Sequence, residues 1–230
     1  MKNKNVLLWN TEGNLRHSYQ GHTESVLCVD WKDNNKFATS SQDGTIKIWD
    51  VQSSPAIKTF AEHEDSIKCL KWDHCDALLA SASEDSTIKI WNVKYPNSLL
   101  TMDEHTDAVL SICWSPTGLS TQQPSEDVRI ASGSADSTVK IWNIENAKWL
   151  ETLKGHTGMV MWVEYDPTYK YIVSGDDKGR TILWSVKDGT IIKTFENFNQ
   201  KCIFDAKWSY DGQMLALWYD SVAVIDIRYM

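Results

Sequence analysis

The sequence predicts an all-β propeller with four full blades, a partial blade at each end and an incomplete ring. Three observations carry that reading. First, one stretch recurs: Ala80–Asn92 (ASASEDSTIKIWN) returns as Ala131–Asn143 (ASGSADSTVKIWN), more loosely as Ala38–Asp50 (ATSSQDGTIKIWD), and in worn form as Val173–Ser185 (VSGDDKGRTILWS). Second, the closing tryptophans Trp9, Trp49, Trp91, Trp142 and Trp184 advance in steps of 40, 42, 51 and 42 residues. Third, an upstream marker, His22, His63, His105 and His156, advances by 41, 42 and 51. Two markers moving in the same steps define a repeat just above forty residues, the period of a four-stranded propeller blade.

Each copy reads as a hairpin. Small Ser, Ala and Gly residues keep one strand thin, Asp-Gly or Asp-Ser makes the turn, and a β-branched strand ends in Trp. Thr, Ile and Val suit a pleated surface, while the indole buries a large ring and needs one partner for its N–H.

In chain order, Val6–Trp9 and Leu15–Tyr19 read as the third and fourth strands of a partial blade, residues 1–20, joined by a turn at Thr11–Asn14. Four full repeats follow at about 21–60, 61–100, 103–153 and 155–195. In the first, Ser25–Trp31 is the inner strand, followed by Phe37–Ser41, Thr45–Trp49 and the outer Ile57–Phe60. A last partial blade, 198–230, supplies Lys201–Trp208, Met214–Leu217 and Val222–Asp226. This strand count predicts an open arc with exposed strand edges. One repeat is longer by about ten residues, and the excess, Thr117–Asp127, is a polar surface loop.

Composition narrows the function classes. Twelve tryptophans and 42% apolar residues suffice for blade-to-blade packing, and 230 residues fit one all-β unit. A net charge of −8 with no Lys/Arg run argues against direct nucleic-acid binding. The cysteines Cys28, Cys69, Cys75, Cys113 and Cys202 form no CxxC pair; Cys28 and Cys69 each follow a marker His by six residues and read as small hydrophobes. Lacking an apolar signal core or a membrane-length apolar run, the chain reads as soluble and intracellular, with no membrane partner.

Every full repeat can assemble His, Ser or Thr, Asp and Trp: His22, Thr39, Asp43, Trp49; His63, Ser81, Asp85, Trp91; and His105, Ser132, Asp136, Trp142. The fourth repeat offers His156, Ser174 and Trp184, but Lys178 stands at the turn, leaving neighbouring Asp177 as the available carboxylate; Asn199 replaces the marker His in the last set. These two blades are therefore expected to be the loosest. Any one set could pass for a hydrolase triad, but an active site is needed once and these recur at every period. A G-x-S-x-G elbow is absent, and Gly155–Gly158 is followed by neither Lys-Ser/Thr nor a helix pattern. His63-Glu64-Asp65, His105-Thr106-Asp107 and the pair His74, Cys75 are equally weak as metal ligands. The expectation is a protein without catalytic, metal or cofactor site.

The chain resembles the WD-repeat family from end to end. In that family the recurring residues form a buried hydrogen-bond chain from Asp through His and Ser/Thr to the indole, which implies the same structural role for these sets. A narrower resemblance lies in Trp114-Ser115-Pro116-Thr117-Gly118, its Thr/Gln/Pro loop, and the segment Arg129–Val139 (RIASGSADSTV). With Val29-Asp30-Trp31, Asn34-Asn35, Phe37-Ala38 and the run Val224–Arg228, these are similar to the propeller of the transducin β-like corepressor-subunit family. That resemblance implies a nuclear, non-enzymatic subunit of a histone-deacetylase transcriptional corepressor complex that binds corepressor, histone-tail or deacetylase-complex segments. The family's LisH and F-box-like regions are not in this sequence, so only the propeller's role carries over. The alternative is a WD-repeat scaffold in RNA processing, trafficking or ubiquitin-ligase substrate recognition, which would also admit a cytoplasmic location.

Propeller geometry then points to the top rim around the central channel as the partner site. The residue five after each marker His points there: Leu27, Lys68, Leu110 and Met161, with Phe204 in the matching place of the last set. Beside them lie the residues before the turn Asp, Gln42, Glu84 and Ala135, with Asp177 as the fourth counterpart. Apolar anchors next to charges suit a peptide, although Leu27 and Leu110 serve equally as channel plugs.

Overall fold

Small residues on one strand and β-branched residues on the next decide how each sheet packs. The computed structural model describes residues 3–73, 77–117, 127–196, 205–218 and 222–229. The chain divides into two compact units, Met1–Thr101 and Met102–Met230.

The first unit opens with a two-stranded sheet, β1 (Val6–Trp9) and β2 (Leu15–Tyr19). A full antiparallel blade follows: β3 (Val26–Trp31), β4 (Lys36–Ser41), β5 (Ile46–Asp50) and β6 (Ser53–Phe60). The next blade is β7 (Ile67–Trp72), β8 (Leu79–Ser83), β9 (Ile88–Trp91) and β10 (Leu100–Met102). Between these blades Ala38, Ile46, Ile48 and Phe60 meet Ile67, Leu70, Leu79 and Trp91, all buried. Each large side chain so buried contributes about 1.5–3 kcal/mol of transfer free energy. Inner strands are also pinned to each other, since the Asp30 carboxylate accepts the Trp72 amide at 2.8 Å. The two-stranded sheet is held by Tyr19, whose hydroxyl donates to Val51 O at 2.8 Å and whose ring packs on Phe37 and Trp49.

The second unit repeats the plan with β11 (Val109–Trp114), β12 (Arg129–Ser134), β13 (Thr138–Asn143) and β14 (Trp149–Lys154). The following blade is β15 (Val160–Tyr165), β16 (Tyr171–Asp176), β17 (Thr181–Ser185) and β18 (Ile191–Phe195). A three-stranded sheet closes the chain, β19 (Asp205–Trp208), β20 (Met214–Trp218) and β21 (Val222–Asp226), followed by a 3-10 turn at Ile227–Tyr229. Val139, Ile141 and Leu153 pack on Val163, Ile172, Ile182 and Trp184. Here the thin strands have a steric cause. A Cβ on Gly133 would sit 2.7 Å from Val160 Cγ1, and one on Gly175 would enter the Trp162 ring.

The architecture is thus all-β, with four four-stranded sheets and a shorter sheet near each terminus among the described residues. Four of the five marker tryptophans are at most 1% exposed, whereas Trp9, in the two-stranded sheet, is 55% exposed. Of the long insertion, only its neck is described. Ser115 and Thr117 bond each other at 2.5 Å; Thr117 Oγ1 donates to Asp127 O at 3.0 Å and the Arg129 amide to Ser115 Oγ at 2.8 Å. Ser115 and Thr117 therefore tie the end of β11 to the backbone at Asp127 and Arg129. Residues 118–126 of the insertion, His74 and Cys75, and Asn199, Lys201, Cys202 and Phe204 of the last partial blade lie outside the described residues.

Candidate interaction surface

The recurring polar residues meet in every full blade. His22 Nδ1 lies 3.0 Å from Asp43 Oδ2, its Nε2 lies 2.8 Å from Thr39 Oγ1, and Trp49 Nε1 donates to the same hydroxyl at 2.8 Å. The next blade gives 2.6, 2.7 and 2.8 Å for His63–Asp85, His63–Ser81 and Trp91–Ser81. His105–Asp136, His105–Ser132 and Trp142–Ser132 are each 2.7 Å. One proton order satisfies all of them: indole N–H to hydroxyl oxygen, hydroxyl to Nε2, and Nδ1–H to carboxylate. The serine two positions later does a different job. Ser83 donates to Asp65 O at 3.1 Å and Ser134 to Asp107 O at 3.0 Å, tying each hairpin to the loop before its inner strand.

The fourth blade corrects the assignment of its carboxylate. His156 Nδ1 bonds Asp176, at 3.0 Å, and not Asp177; Ser174 and Trp184 complete the chain at 2.7 and 2.8 Å. Asp176 is two residues beyond the hydroxyl, where the other blades place Ser41, Ser83 and Ser134 and set their Asp four residues beyond. It reaches the His from the strand end, and its other oxygen accepts the Lys178 and Arg180 amides. The fourth set is complete, which removes the basis for expecting that blade to be loose.

Burial decides what these sets can do. Thr39, Ser81, Ser132 and Ser174 are 0% exposed, and each hydroxyl already accepts an indole N–H. A nucleophile needs open approach to its oxygen, so the triad-like geometry is structural here. Burial opposes ionisation of the four aspartates, but hydrogen bonds from His, Thr or backbone donors outweigh it and hold them below the ordinary carboxylate value, Asp43 down to about 2. Burial also lowers the His22 imidazole, against the pull of Asp43. Among the described residues no group of three or more His, Cys, Asp or Glu comes together as a metal-binding cluster.

The residues expected at a rim share a feature that the sequence did not reveal. In each full blade the register between inner and second strand slips at one residue: between Val26 and Cys28, Ile67 and Cys69, Val109 and Ser111, and Val160 and Trp162. The skipped residues are Leu27, Lys68, Leu110 and Met161. A bulge leaves its residue unpaired and re-aims the side chain. Gln42, Glu84, Ala135 and Asp177 also occupy one equivalent place, each amide bonded to the carbonyl just before the inner strand at 2.9, 2.9, 2.9 and 3.0 Å.

In the first unit, bulge and hairpin residues meet: Lys68 Nζ lies 2.8 Å from Glu84 Oε1, with the side chains 28% and 35% exposed. The Lys68 hydrogen bond, then one from Ser66, holds the Glu84 carboxyl below its usual value. Leu27 and Gln42, at the equivalent places of the preceding blade, are exposed. In the second unit Leu110 is half-buried, Met161 packs against the cluster of Trp162, Val173 and Leu183, and the Asp177 carboxylate accepts the Met159 amide at 2.9 Å. Asp177 is thus partly used up by the segment just before β15.

Comparison with known proteins places these features in a family. The WD domain, G-beta repeat family model matches residues 13–50, 54–92, 96–143 and 147–185. The chain is 36% identical over 215 residues to WD40 repeat-containing protein HOS15 of Arabidopsis thaliana, covering 93% of this chain and 35% of that protein. It is 45% identical over 169 residues to F-box-like/WD repeat-containing protein TBL1X of Mus musculus, covering 73% and 32%. To TBL1Y of Homo sapiens it is 44% identical over 169 residues, again covering 73% and 32%. The chain spans about a third of the length of these curated relatives.

Proposed function

Because this chain belongs to the WD-repeat family, we propose that it acts as a non-catalytic protein-interaction scaffold in a nuclear, histone-deacetylase transcriptional corepressor complex. The observation that carries the reading is the repeated bulge. In four blades the inner strand lifts one residue, Leu27, Lys68, Leu110 or Met161, out of the ladder. The Lys68–Glu84 pair is exposed enough to contribute only about 0–1 kcal/mol to stability, so its value lies in reading a partner's charge. The corepressor assignment is supported by the WSPTG turn with its insertion and by the similarity to TBL1X, TBL1Y and HOS15.

The partners in this reading are peptide segments of corepressor, histone tail or deacetylase-complex subunits, seated by apolar contacts and oriented by Lys68 and Glu84. Affinity purification of the tagged chain from nuclear extract, with quantitative mass spectrometry, tests it. Enrichment of deacetylase and corepressor subunits over a tag-only control is the expected result. Enrichment instead of RNA-processing, trafficking or ubiquitin-ligase components would overturn the corepressor assignment and leave the scaffold role.

A further inference from the structure

We propose that Cys28 and Cys69 form a modification site, a dithiol on adjacent inner strands that hydroperoxides oxidise to a reversible disulfide joining two blades. Each cysteine immediately follows a bulge residue, and they stand on equivalent rungs: Cys28 opposite Ser40, Cys69 opposite Ala82. Within the first unit, the Cys28 thiol donates to Leu70 O at 3.7 Å, one residue along the chain from Cys69, and the Cys69 side chain lies within hydrogen-bond reach of that thiol. The residues opposite them on β4 and β8, Ser40 and Ala82, are small. Both thiols are half-buried.

The position does not demand cysteine for packing. In the second unit the equivalent residues are Ser111, opposite Gly133, and Trp162, opposite Gly175. Ser111 accepts the Val163 amide at 3.2 Å, so a hydroxyl serves the same rung. Two thiols in contact are therefore more than small hydrophobes. The Cys69 hydrogen bond, outweighing burial and helped by Leu70 and Lys71, lowers the Cys28 thiol to about 7, while Asp30 opposes the shift. Cys28 is the attacking sulfur for that reason, and Cys69 the resolving one.

The chemistry balances with hydrogen peroxide as oxidant. The Cys28 thiolate attacks one peroxide oxygen; an S–O bond forms, the O–O bond breaks, and the departing hydroxide takes a proton to become water. Cys69 then attacks the sulfenic sulfur; the S–S bond forms, the S–O bond breaks and a second water leaves. Two thiols lose two electrons, and one peroxide becomes two waters.

The test treats the reduced 230-residue chain with stoichiometric hydrogen peroxide and maps cysteines by mass spectrometry. Expected is a Cys28–Cys69 linked peptide that dithiothreitol removes, with Cys28 alkylated by iodoacetamide at pH 7 at least about tenfold faster than Cys113. Cys69→Ser should leave a Cys28 sulfenic acid trapped by dimedone, and Cys28→Ser should leave Cys69 unoxidised. Phenylarsine oxide, which bridges two neighbouring thiols, should be retained by the unmodified chain without any variant. Disulfides to Cys75, Cys113 or Cys202, equal alkylation of Cys28 and Cys113, or no arsenical retention would each overturn the proposal.

Discussion

Asp136 shows how a single residue holds a blade. Its Oδ1 takes the Thr138 amide and hydroxyl at 2.9 and 2.6 Å, and its Oδ2 takes His105 Nδ1 and the Thr106 amide at 2.7 and 3.2 Å. Asp136→Ala strands these donors, at a cost of about 1–3 kcal/mol. For a chain of this size the melting temperature falls by roughly 2–12 °C. Burial raises the Asp136 carboxyl, but its hydrogen bonds with His105 and Thr138 hold it well below the usual range. A carboxylate lowered on folding contributes stability that is present above its unfolded value of about 3.9 and lost as pH falls through its folded value. The gap between wild type and Asp136→Ala is therefore full at pH 7 and narrows below about pH 4. Thermal melts at pH 7 and pH 3 check this. Equal melting temperatures at pH 7, or a gap that widens in acid, would contradict it.

At the scale of the hairpin, each of the four turns contains one left-handed residue: Gly44 (φ 72°), Ser86 (φ 69°), Ser137 (φ 66°) and Gly179 (φ 82°). Glycine takes that conformation without strain, and serine does not. Ser137→Gly should stabilise the chain by about 0.5–1 kcal/mol, seen as a higher thermal midpoint. Gly44→Ser should lower it, since its Cβ would also sit 3.1 Å from His63 O. A lower midpoint for Ser137→Gly would show that the serine side chain supplies something the turn needs. These hairpins were legible because Asp-Gly and Asp-Ser are local signals read from adjacent residues. The bulges were not, because an extra residue on the inner strand shows only when two strands are set in register. Asp176 was hidden for a related reason: it replaces a strand-end serine, a position that identity with the other repeats marks as small and neutral.

Across the whole molecule, buried polar sets build the blades, while the bulge residues range from exposed Leu27 to half-buried Lys68, Leu110 and Met161. The repeat spacing made the blades and the His, Ser/Thr and Trp of each set readable. The pairing of Lys68 with Glu84 depends on an inner-strand bulge and a hairpin turn coming within 2.8 Å of each other and has no local signature. Apolar side chains also stand exposed on the terminal sheets, among them Trp9 at 55%, Trp218 at 60% and Val222 at 68%. Separating rim recognition from mere packing therefore needs variants that leave the fold alone. Lys68→Glu, Glu84→Lys and the double exchange meet that need, because an exposed pair contributes about 0–1 kcal/mol. The measurement is co-purification of each variant with the deacetylase corepressor assembly proposed as its partner, alongside its thermal midpoint. All three should melt within about 4 °C of wild type and none should hold the assembly, since even the double exchange presents reversed charges to the partner. Recovery of binding by the double exchange would make the pair an internal strut, and undiminished binding by all three would move recognition away from this rim.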